Sequence, residues 1–452
     1  MRVAVIGTGY VGLTTGVALA YLGHQVVGVD KDLAKIQLLE QGRSPIHEPG
    51  VEDLLAELGE ARLSFTSDTF DAVKNADLIM IAVGTPAKAN GEADTSYVEA
   101  AAKEVAKGFE NDKSYTVVIK STVPIGTNQR VAHVIEQVLR KRNVKANVYL
   151  ASNPEFLREG LALKDTFYPD RIVVGAKNIE AVEALHHLYR PILEQTFNPP
   201  SFLPRPEGYG LPPLITTDPT SAEMIKYAAN ACLALKISFI NEIAGLCEKV
   251  GADVVEVARG IGLDSRIGPG FLGAGIGWGG SCFPKDTAAL LAMGREYNYP
   301  MPIVAAAREV NFKQRERVIE KLQYALKVLR GSVIGILGLA FKPGTDDVRE
   351  SPALDVVRML LDRGAHVRVH DPIALENAKK VLGPDVEYYN DYYDMAKESD
   401  ALVLATEWPQ YFDLDFSRLS ALMRKKVFID GRNIFSPDEI RKSGFVYMGM
   451  GR

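Results

Sequence analysis

The sequence predicts an α/β protein in which two doubly wound parallel sheets flank a helical middle. Short apolar runs typical of buried strands alternate with helical patterns near both ends of the chain, as expected where helices cover a parallel sheet. Between these regions, Ser221 to about Val250 forms one long helical pattern with a single glycine. The second α/β region repeats short segments of the first in the same order, so we expect the two regions to be related.

The first α/β region opens with a buried strand at Arg2–Ile6, and a glycine turn then leads into a helix that ends near Leu22. The next strand is Gln25–Val29. Four further apolar runs are predicted strands, with helical stretches between most of them: Leu78–Val83, Val117–Lys120, Val148–Ala151 and Arg171–Val174. Residues 196–219 are rich in proline and lack periodicity, which indicates a linker.

The long helix carries an apolar stripe at helical spacing. Its members are Met224, Ala228, Ala231, Leu235, Ile243, Leu246 and Val250. A helix of this length can join two domains, and it can also pack against a second subunit.

The α/β pattern returns after about residue 326, where Val333–Leu337 is a predicted strand. Gly364–Asp371 is similar to Gly23–Asp30, and Asp400–Ala405 is similar to Asp77–Ala82. The shared order of these segments argues against a chance similarity. The predicted domains are 1–204, 205–325 and 326–452.

Bulk composition is that of a globular protein with two or three domains: 452 residues, 47% hydrophobic and 24% charged. The formal net charge of −5 gives no support to nucleic acid or an anionic membrane as a partner. Three cysteines argue against a disulfide framework and for a reducing compartment. No signal peptide is visible and no apolar run reaches membrane-spanning length, so we expect a soluble cytoplasmic protein. No metal site is predicted.

A Gly7-x-Gly9-x-x-Gly12 turn follows the first strand and opens the first helix, and Asp30 ends the second strand. This is the context of a dinucleotide-binding fingerprint. The first glycine permits the tight turn, the second admits a pyrophosphate, and the third lets helix and strand pack closely. The helix N-terminus then faces the phosphates. Asp30 would bond the ribose hydroxyls and repel a 2′-phosphate, which favours NAD over NADP, although the adjacent Lys31 slightly weakens that preference.

Two further turns, Gly84-Thr85-Pro86 and Ser121-Thr122-Val123-Pro124, follow predicted strands. Open α/β sheets bind ligands at the carboxyl ends of strands, so both turns are candidates for ligand contacts. Prolines also commonly terminate strands, and either turn by itself has little weight.

Cys282 is the residue with the most specific chemical implication. It lies in Gly277–Asp286, after a glycine-rich loop that lets backbone approach a ligand. A positioned thiolate beside a nicotinamide cofactor can hold an aldehyde as a thiohemiacetal, permit a second oxidation and release an acid from a thioester. Lys285 can favour the thiolate, and Asp286 can act as a base or orient a water. The other two cysteines fall in the long helix and are interpreted as structural.

Two pairs of residues at a spacing of four suggest further chemistry. Lys226 and Asn230 share a face of the long helix and suit the stabilisation of an oxyanion, although a solvated helix face is the plainer interpretation. Glu155 and Glu159 would lie on one helical face near a strand end and can supply a base for attack of water on a thioester. Acidic residues at an ordinary helix N-terminus are the alternative.

Phe341–Glu350 follows the first strand of the last α/β region. After Gly338 come Leu339 and Ala340, with no second close glycine, so this turn departs from a dinucleotide fingerprint and argues against a second NAD. A lysine at such a turn, here Lys342, can hold a nucleotide phosphate instead.

These motifs together resemble the UDP-glucose 6-dehydrogenase family of nucleotide-sugar dehydrogenases, over nearly the whole chain. The shared motifs are, in order, Gly7–Gly12, Ser121–Gly126, Asn153–Gly160, Lys226–Asn230, Gly279–Asp286, Phe341–Ser351 and Asp430–Arg432. The resemblance implies two Rossmann-like domains joined by a long, dimer-forming helix, and hence a homodimer. It also implies that UDP-glucose, two NAD⁺ and water give UDP-glucuronate and two NADH.

The resemblance further implies roles for individual residues. The implied catalytic residues are Cys282 as nucleophile, Lys226 and Asn230 at the oxyanion, Asp286 with Thr122 and a bound water in proton removal, and Glu155 as the base for thioester hydrolysis. The implied cofactor contacts are Gly7, Gly9, Tyr10, Val11, Gly12, Asp30, Lys31, Thr85, Pro86, Ser121, Thr122, Glu159, Lys285 and Arg349. The implied substrate contacts are Glu155, Phe156, Leu157, Lys226, Asn230, Phe271, Leu272, Gly279, Phe341, Lys342, Arg432 and Arg266, the last reaching across from a neighbouring subunit.

Two positions in the expected substrate loop depart from many relatives: Trp278 stands where Phe or Tyr is common, and Gly273 where some carry a lysine. Close relatives oxidise GDP-mannose or UDP-N-acetylhexosamines, and Ser281–Asp286 resembles the UDP-glucose branch more than the N-acetylhexosamine branch. Two other functions stay open. A two-electron hydroxyacid-type dehydrogenase would not need Cys282, and a non-catalytic nucleotide-sugar sensor would not need the intact catalytic set.

Overall fold

The computed structural model describes residues 1–452 and divides into two compact units, Met1–Ala228 and Ala229–Arg452. Each unit contains one predominantly parallel sheet with helices between its strands. The predicted α/β class with two Rossmann-like sheets and a long intervening helix is therefore confirmed. The domain boundaries at residues 204 and 325 stay a prediction.

Eight strands form the sheet of the first unit. They are β1 (Arg2–Ile6), β2 (Gln25–Val29), β3 (Leu63–Thr66), β4 (Leu78–Ile81), β5 (Ser114–Ile119), β6 (Asn147–Ser152), β7 (Ile172–Ala176) and β8 (Leu214–Thr217). Their order in the sheet is β3-β2-β1-β4-β5-β6-β7-β8. The order reverses beside β1, which creates a crevice at the carboxyl ends of β1 and β4 where such folds bind ligands.

Eight helices accompany this sheet. They are α1 (Tyr10–Tyr21), α2 (Leu33–Glu40), α3 (Val51–Glu57), α4 (Thr69–Lys74), α5 (Ser96–Lys107), α6 (Thr127–Arg142), α7 (Ala162–Phe167) and α8 (Ile179–Leu193). Alternate residues of a strand point to opposite faces. Val3 and Val5 accordingly belong to one apolar cluster, and Ala4 and Ile6 to another. The core thus lies on both faces of the sheet.

The strand pairs are parallel except for β6 and β7, which are antiparallel. After β6 the chain stays at the carboxyl edge through α7 and enters β7 from that same edge. The sheet predicted as parallel therefore contains one antiparallel pair. Strands β3 and β8 were not predicted, because only the first of the four residues of β3 is fully buried and the side chains of β8 are only half-buried or exposed. β8 also falls inside the segment predicted as a linker.

A single helix of 32 residues, α9 (Pro219–Val250), crosses the division between the units. The predicted apolar stripe is not its buried face, since Met224, Leu246 and Val250 are 36%, 60% and 68% exposed. Small residues such as Ala234 and Ala244 and several polar side chains are buried instead. Helical periodicity therefore identified the helix but not the face that packs within the chain.

The composition of α9 corrects one expectation. An 18-residue window of α9 has a mean hydropathy of 1.2, so by length and composition alone this helix could cross a membrane. Within the protein, 44% of that window is buried. The buried residues of α9 include Lys226 and Asn230, and buried core helices commonly have such a composition.

Six parallel strands form the sheet of the second unit. They are β9 (Val333–Leu337), β10 (His366–His370), β11 (Glu387–Tyr388), β12 (Ala401–Leu404), β13 (Val427–Asp430) and β14 (Val446–Gly449), in the order β11-β10-β9-β12-β13-β14. The helices are α10 (Val254–Gly262), α11 (Phe283–Glu296), α12 (Pro302–Leu326), α13 (Pro352–Asp362), α14 (Leu375–Leu382), α15 (Tyr392–Ala396), α16 (Phe416–Leu422) and α17 (Pro437–Lys442). Two short 3₁₀ turns lie at Gly383–Asp385 and Pro409–Tyr411.

The two sheets share the arrangement that their similar segments predict. β1 lies between β2 and β4, and β9 lies between β10 and β12. The glycine that follows the central strand has a left-handed backbone in both sheets, with φ +100° at Gly7 and +92° at Gly338. The similarity of Gly23–Asp30 to Gly364–Asp371 therefore reflects equivalent places in two related sheets.

Candidate active site

The glycine turn after β1 has the geometry that a dinucleotide requires. A Cβ on Gly7 would lie 2.8 Å from the carbonyl oxygen of Ala82, and a Cβ on Gly12 would lie 1.8 Å from the carbonyl oxygen of Gly7. Only glycine therefore lets α1 pack this close to the turn. Gly9, by contrast, has open space at its Cβ position and caps α1 without a side-chain hydrogen bond. The first N–H groups of α1 are thus left for an anionic ligand.

Asp30 ends β2, and the turn fixes its carboxylate. Oδ2 accepts hydrogen bonds from the N–H of Thr8 at 3.0 Å and from its hydroxyl at 2.8 Å, and Oδ1 accepts from the N–H of Asp32 at 3.0 Å. Burial raises the pKa of Asp30, but these bonds and the ammonium of Lys35 outweigh burial and hold it below its ordinary value. The ionised carboxylate, the open space at Gly9 and the helix N-terminus that has no side-chain cap fit NAD. The neighbouring Lys31 is exposed.

The turns after β4 and β5 lie side by side because these strands are neighbours. The hydroxyl of Thr85 donates to the carbonyl of Thr122 at 2.7 Å, and that of Ser121 donates to the carbonyl of Val83 at 2.6 Å. Pro86 is exposed. The structure therefore brings these predicted contacts together at the carboxyl edge of the first sheet.

Glu223 on α9 was not predicted as a site residue. Its carboxylate accepts hydrogen bonds from the N–H groups of Gly126 at 2.7 Å and Asn128 at 2.9 Å, so it caps α6 and holds the turn after β5. Burial raises the pKa of Glu223 to about 7, although the two N–H groups lower it. The signal in the sequence that could have pointed to Glu223 is its place three residues before Lys226 on the same helix.

Tyr10 and Glu48 connect the fingerprint to the segment after β6. The Tyr10 hydroxyl donates to the Glu48 carboxylate, which also accepts from the N–H groups of Gly160 at 2.6 Å and Ala162 at 2.7 Å. Burial and this bond raise the pKa of Tyr10 far above its ordinary value. Glu48 was missed because a lone glutamate in a loop gives no local signal of such partners. Glu159 lies next to Gly160 and is half-buried.

Glu155 and Lys226 form a buried ion pair, with 3.0 Å between Oε1 and Nζ. The other carboxylate oxygen accepts from the N–H of Leu157 at 2.6 Å. Burial raises the pKa of Glu155, but Lys226 and this N–H bond outweigh burial and keep it below its ordinary value. The ring of Phe156 lies 5.4 Å from the Lys226 ammonium and 3.8 Å from the guanidinium of Arg171. Two predicted substrate contacts, Glu155 and Phe156, thus lie against one buried lysine, and a third, Leu157, holds the carboxylate.

Glu155 and Glu159 do not share a helical face, because residues 153–161 contain no helix. Asn153 precedes Pro154, which disfavours helical backbone at Asn153. Gly160 has φ +79°, and the Glu155 carboxylate binds the N–H two residues later. The spacing of four residues therefore did not indicate a helix here, because side chains bind the backbone N–H groups of this segment.

Cys282 occupies the N-cap position of α11. Its side chain is half-buried, and Sγ lies 3.6 Å from the hydroxyl oxygen of Ser281. The positive end of a helix favours a thiolate over a thiol, so this position suits a nucleophile. Of the other cysteines, Cys232 is exposed and Cys247 is buried.

Asp286 lies one turn later in α11 and is 1% exposed. It accepts a hydrogen bond from the side-chain amide of Asn230 at 2.6 Å and pairs with the ammonium of Lys285. Asn230 and Lys226 are both buried. Their interpretation as a solvated helix face is therefore wrong, and each of them instead meets a buried carboxylate.

The glycine-rich segment before Cys282, residues 270–281, is named here the cysteine loop. The N–H of Gly280 donates to the carbonyl of Arg349 at 3.0 Å, and a Cβ on Gly280 would lie 2.7 Å from the ring of Phe341. A Cβ on Gly279 would lie 2.1 Å from the carbonyl oxygen of Glu350. The second unit thus brings Gly279 and Phe341, two predicted substrate contacts, close to the predicted cofactor contact Arg349.

Helix α12 holds the other side of the cysteine loop through residues that were not predicted. The amide of Asn311 accepts from the N–H of Trp278 at 2.7 Å and donates to its carbonyl at 2.9 Å. The indole N–H of Trp278 donates to the hydroxyl of Ser238 at 3.0 Å, which in turn donates to the carbonyl of Ala307 at 2.7 Å. Trp278 stands where many relatives carry Phe or Tyr, and a phenyl ring has no N–H to donate. The hydrogen bond to Ser238 is therefore a contact that a phenylalanine at this position could not make.

Arg432 follows β13 and lies against the start of the cysteine loop. Its Nε donates to the carbonyl of Ala405 at 2.7 Å and pairs with Glu407 at 3.1 Å, and its Nη1 lies 3.5 Å from a Cβ built on Gly275. The guanidinium is therefore oriented beside the loop.

The remaining predicted substrate contacts differ in their exposure and in their partners. Leu272 is buried, Phe271 is 39% exposed with φ +65°, and the Lys342 ammonium lies 5.5 Å from the centre of the Phe341 ring. Arg266 is exposed and pairs with the adjacent Asp264 at 2.6 Å. The hydrogen bonds and the ion pair of the Arg266 side chain within the chain are with Asp264 and not with another predicted substrate contact.

Asp371 ends β10, at the place that Asp30 has in the first sheet. Its Oδ2 accepts from the N–H groups of Leu339 at 2.7 Å and Ala340 at 3.0 Å and from the indole N–H of Trp408 at 3.1 Å. The residue is 2% exposed. The protein itself occupies the hydrogen-bonding capacity that a ribose would use, which argues against a dinucleotide at this turn.

Three segments of the chain match consecutive domains of one protein family. Residues 1–193 match the NAD binding domain of the UDP-glucose/GDP-mannose dehydrogenase family, residues 220–313 its central domain and residues 335–437 its UDP binding domain. The chain belongs to the UDP-glucose/GDP-mannose dehydrogenase family. It is therefore an NAD-dependent oxidoreductase, and the resemblance found in its motifs is confirmed.

Relatives within the family extend over the whole chain. UDP-glucose 6-dehydrogenase TuaD of Bacillus subtilis (strain 168) is 46% identical over 452 residues, which are 100% of this chain and 93% of the relative. The UDP-glucose 6-dehydrogenase of Rhizobium meliloti (strain 1021) is 47% identical over 459 residues, 100% of each chain. The solved structure of a UDP-glucose dehydrogenase from the hyperthermophilic archaeon Pyrobaculum islandicum aligns with a TM-score of 0.88 at 42% identity, covering 99% of this chain and 97% of that one.

Proposed function

We propose that the chain oxidises the C6 hydroxymethyl group of UDP-glucose to a carboxylate, giving UDP-glucuronate with two NAD⁺ reduced per sugar. The observation that carries the proposal is the place of Cys282 at the N-terminus of α11, in a chain that also matches NAD- and UDP-binding domains. A hydride acceptor alone suffices to form an aldehyde, whereas a thiolate allows oxidation to continue to an acid. Full-length similarity to proteins named UDP-glucose 6-dehydrogenase favours this sugar.

The proposed reaction removes four electrons and adds one oxygen atom from water. One alcohol, two NAD⁺ and one water give one carboxylate, two NADH and three protons. When bound, NAD⁺ supplies the hydride acceptor for each oxidation. The residues of the chain bind the sugar nucleotide, hold its C6 atom covalently between the oxidations and direct the water.

Cys282 is the proposed nucleophile. Its thiolate adds to the aldehyde carbon, which forms a C–S bond and an oxyanion, and protonation of that oxygen gives a thiohemiacetal. The second oxidation leaves a thioester on Cys282. The ammonium of Lys226 and the amide of Asn230, one turn apart on α9, stabilise the oxyanion.

Glu155 is the proposed base for hydrolysis. It takes a proton from water while the water oxygen bonds to the thioester carbon, and the C–S bond then breaks to return the Cys282 thiolate. Its low pKa keeps this carboxylate ionised at neutral pH. Asp286, with Thr122 and a bound water, assists proton removal from the C6 hydroxyl.

The binding assignments are also part of the proposal. The cofactor contacts are those of the first sheet's carboxyl edge, with Lys285 and Arg349 added. The substrate contacts are the residues around Lys226 and those around the cysteine loop, including Lys342 for the nucleotide phosphates and Arg432 for the sugar nucleotide.

We propose a cytoplasmic homodimer with the three domains 1–204, 205–325 and 326–452. The exposed apolar residues Phe239, Leu246 and Val250 on α9 support a subunit interface on this helix. The exposed guanidinium of Arg266 would then contribute to the site of a neighbouring subunit. Sedimentation velocity of the purified protein, with Phe239→Glu as the disrupting variant, tests the dimer.

Oxidation of GDP-mannose or a UDP-N-acetylhexosamine by the same thiolate chemistry is the alternative function. A two-electron hydroxyacid-type dehydrogenase is a weaker candidate, because it leaves the position of Cys282 unused. A nucleotide-sugar sensor is weaker still, because the buried Glu155–Lys226 pair and Asn230 are intact.

The test is the number of NADH formed per UDP-glucose when NAD⁺ is in excess and the sugar is limiting. We expect two NADH per sugar from the wild type and loss of that yield in Cys282→Ser. One NADH per sugar would indicate a two-electron enzyme. No NADH with UDP-glucose, but activity with GDP-mannose or a UDP-N-acetyl sugar, would replace the substrate and keep the mechanism.

A further inference from the structure

We infer that Lys120 is a positioning residue for the hydrolytic step: it holds Asn153 and thereby sets the place and the charge environment of the Glu155 carboxylate. This inference rests on the proposed function. Lys120 directly follows β5, precedes the Ser121 turn and is 8% exposed. A buried ammonium is costly for a fold, so its partners indicate what it is retained for.

The partners of Lys120 form one buried polar cluster. Its Nζ lies 3.1 Å from Oδ1 of Asn153 and 3.4 Å from the hydroxyl of Tyr189, and that hydroxyl donates to the same Oδ1 at 2.7 Å. The amide Nδ2 of Asn153 donates to the carbonyl of Val173 at 2.7 Å. All of these side chains are buried. Asn153 is therefore fixed by donors on one side and by a strand carbonyl on the other.

Asn153 starts the segment that carries the proposed base. Its backbone N–H donates to the carbonyl of Ile119 at 2.9 Å, Pro154 follows with a restricted φ, and Glu155 comes next. The Glu155 carboxylate then reaches Lys226 at 3.0 Å. Because only Pro154 separates the fixed amide from the base, release of Asn153 would move the carboxylate relative to its water.

Lys120 also contributes charge. Burial raises the pKa of Glu155, and the positive charges of Lys226 and Lys120 both act against this. Burial in turn lowers the pKa of Lys120 to about 8, with Glu155 opposing and Lys226 assisting that decrease. A residue with only a structural role at this position would need to fill the space and bind Asn153. A neutral side chain does both without the desolvation cost of a buried charge.

The test compares Lys120→Met with the matched variant Tyr189→Phe, which removes one donor to Asn153 but leaves the ammonium. Each variant is mixed rapidly with NAD⁺ and UDP-glucose, NADH is followed through the first turnover, and the protein mass is measured at intervals. We expect Lys120→Met to complete the oxidations of the first turnover and then slow by about 10–100-fold, with an acyl adduct of the sugar nucleotide on Cys282. Tyr189→Phe should stay within about fivefold of the wild type without the adduct.

Lys120→Gln separates hydrogen bonding from charge and replaces Lys120→Met if the latter fails to fold. It can still donate to Asn153 but carries no charge, so a smaller accumulation of the adduct is expected. Unchanged turnover in the Lys120 variants, or an equal loss of the first-turnover and steady-state rates without an adduct, would overturn the inference.

Two reference measurements separate this inference from the proposed function. The wild type should give two NADH per sugar, and Glu155→Gln should accumulate the same adduct. If either fails, the proposed function fails together with the inference. If both hold and the Lys120 variants show no adduct, only the role of Lys120 is wrong.

Discussion

The ammonium of Lys226 lies 3.0 Å from the carboxylate of Glu155, and both side chains are more than nine-tenths buried. Loss of one partner from such a pair leaves an uncompensated buried charge. We therefore expect Lys226→Met to lower the free energy of unfolding by about 3–5 kcal/mol near pH 7, measured by urea denaturation. The same substitution should abolish turnover.

An exposed ion pair in the same protein provides the control. Lys397 lies 2.6 Å from Asp394, but both side chains are 59% exposed. Lys397→Met should change the free energy of unfolding by about 1 kcal/mol or less. The double variant Glu155→Gln/Lys226→Met should be more stable than Lys226→Met alone. Equal effects of the two lysine substitutions would contradict a buried, coupled pair.

The glycines of the first turn should separate folding from cofactor binding. Gly12→Ala places a Cβ 1.8 Å from the carbonyl oxygen of Gly7, so it should destabilise the fold by about 2 kcal/mol or more. Gly9→Ala meets no protein atom within 4 Å, so the melting temperature should stay close to that of the wild type. Its added methyl group instead occupies the space predicted for the pyrophosphate.

NAD binding to both variants is measured by titration calorimetry. We expect Gly9→Ala to weaken NAD binding at least about tenfold while its unfolding transition is unchanged. Wild-type affinity in Gly9→Ala would mean that the pyrophosphate does not approach the backbone at this glycine.

Glu223 should make stability depend on pH. Burial raises its pKa in the folded protein to about 7 from an ordinary 4.5. The folded state therefore binds more protons than the unfolded state between these values. The contribution of Glu223 to stability is fully present below about pH 4.5 and is lost as the pH rises through about 7.

Urea denaturation of the wild type and Glu223→Gln from pH 5 to 8 tests this dependence. The wild type should lose on the order of 2–3 kcal/mol relative to the variant across that range. Glu136→Gln, at a largely exposed side chain, should give a curve parallel to the wild type. A parallel curve for Glu223→Gln as well would contradict the raised pKa.

The bond between Trp278 and Ser238 should couple α9 to the cysteine loop. Trp278→Phe removes the indole donor that lies 3.0 Å from the Ser238 hydroxyl, and Ser238→Ala removes the acceptor. A double-mutant cycle in urea should give a coupling of about 0.5–1.5 kcal/mol. Additive effects of the two substitutions would show that the bond contributes nothing to stability.

The features predicted well from the sequence are those with local causes. The turn from Gly7 to Gly12 and the strand Gln25–Val29 depend on glycine spacing and on short apolar runs, which are visible without knowledge of the fold. The motif around Cys282 was recognised for the same reason. The roles of the candidate catalytic residues came from the resemblance of these motifs to a family, and they stay a prediction.

The features missed depend on contacts distant in sequence. Glu48, Glu223 and Asn311 each bind backbone groups far along the chain, and a single sequence gives no sign of such partners. The failed helix at Glu155 shows the converse, since a spacing of four suggested a helix where tertiary bonds to Asn153 and Lys226 hold an irregular segment. The exposed Leu246 shows that helical periodicity identifies an apolar stripe but does not show whether another part of the chain covers it.

The double use of Asp30 limits how the cofactor preference of this enzyme can be redesigned. A change to NADP ordinarily begins by replacing the acidic residue at the end of the second strand. Here the same carboxylate also accepts two hydrogen bonds from Thr8, so its removal would leave the N–H and hydroxyl of the phosphate-binding turn without their acceptor. Selection for a new coenzyme would therefore have to rebuild the turn and the ribose pocket in the same step.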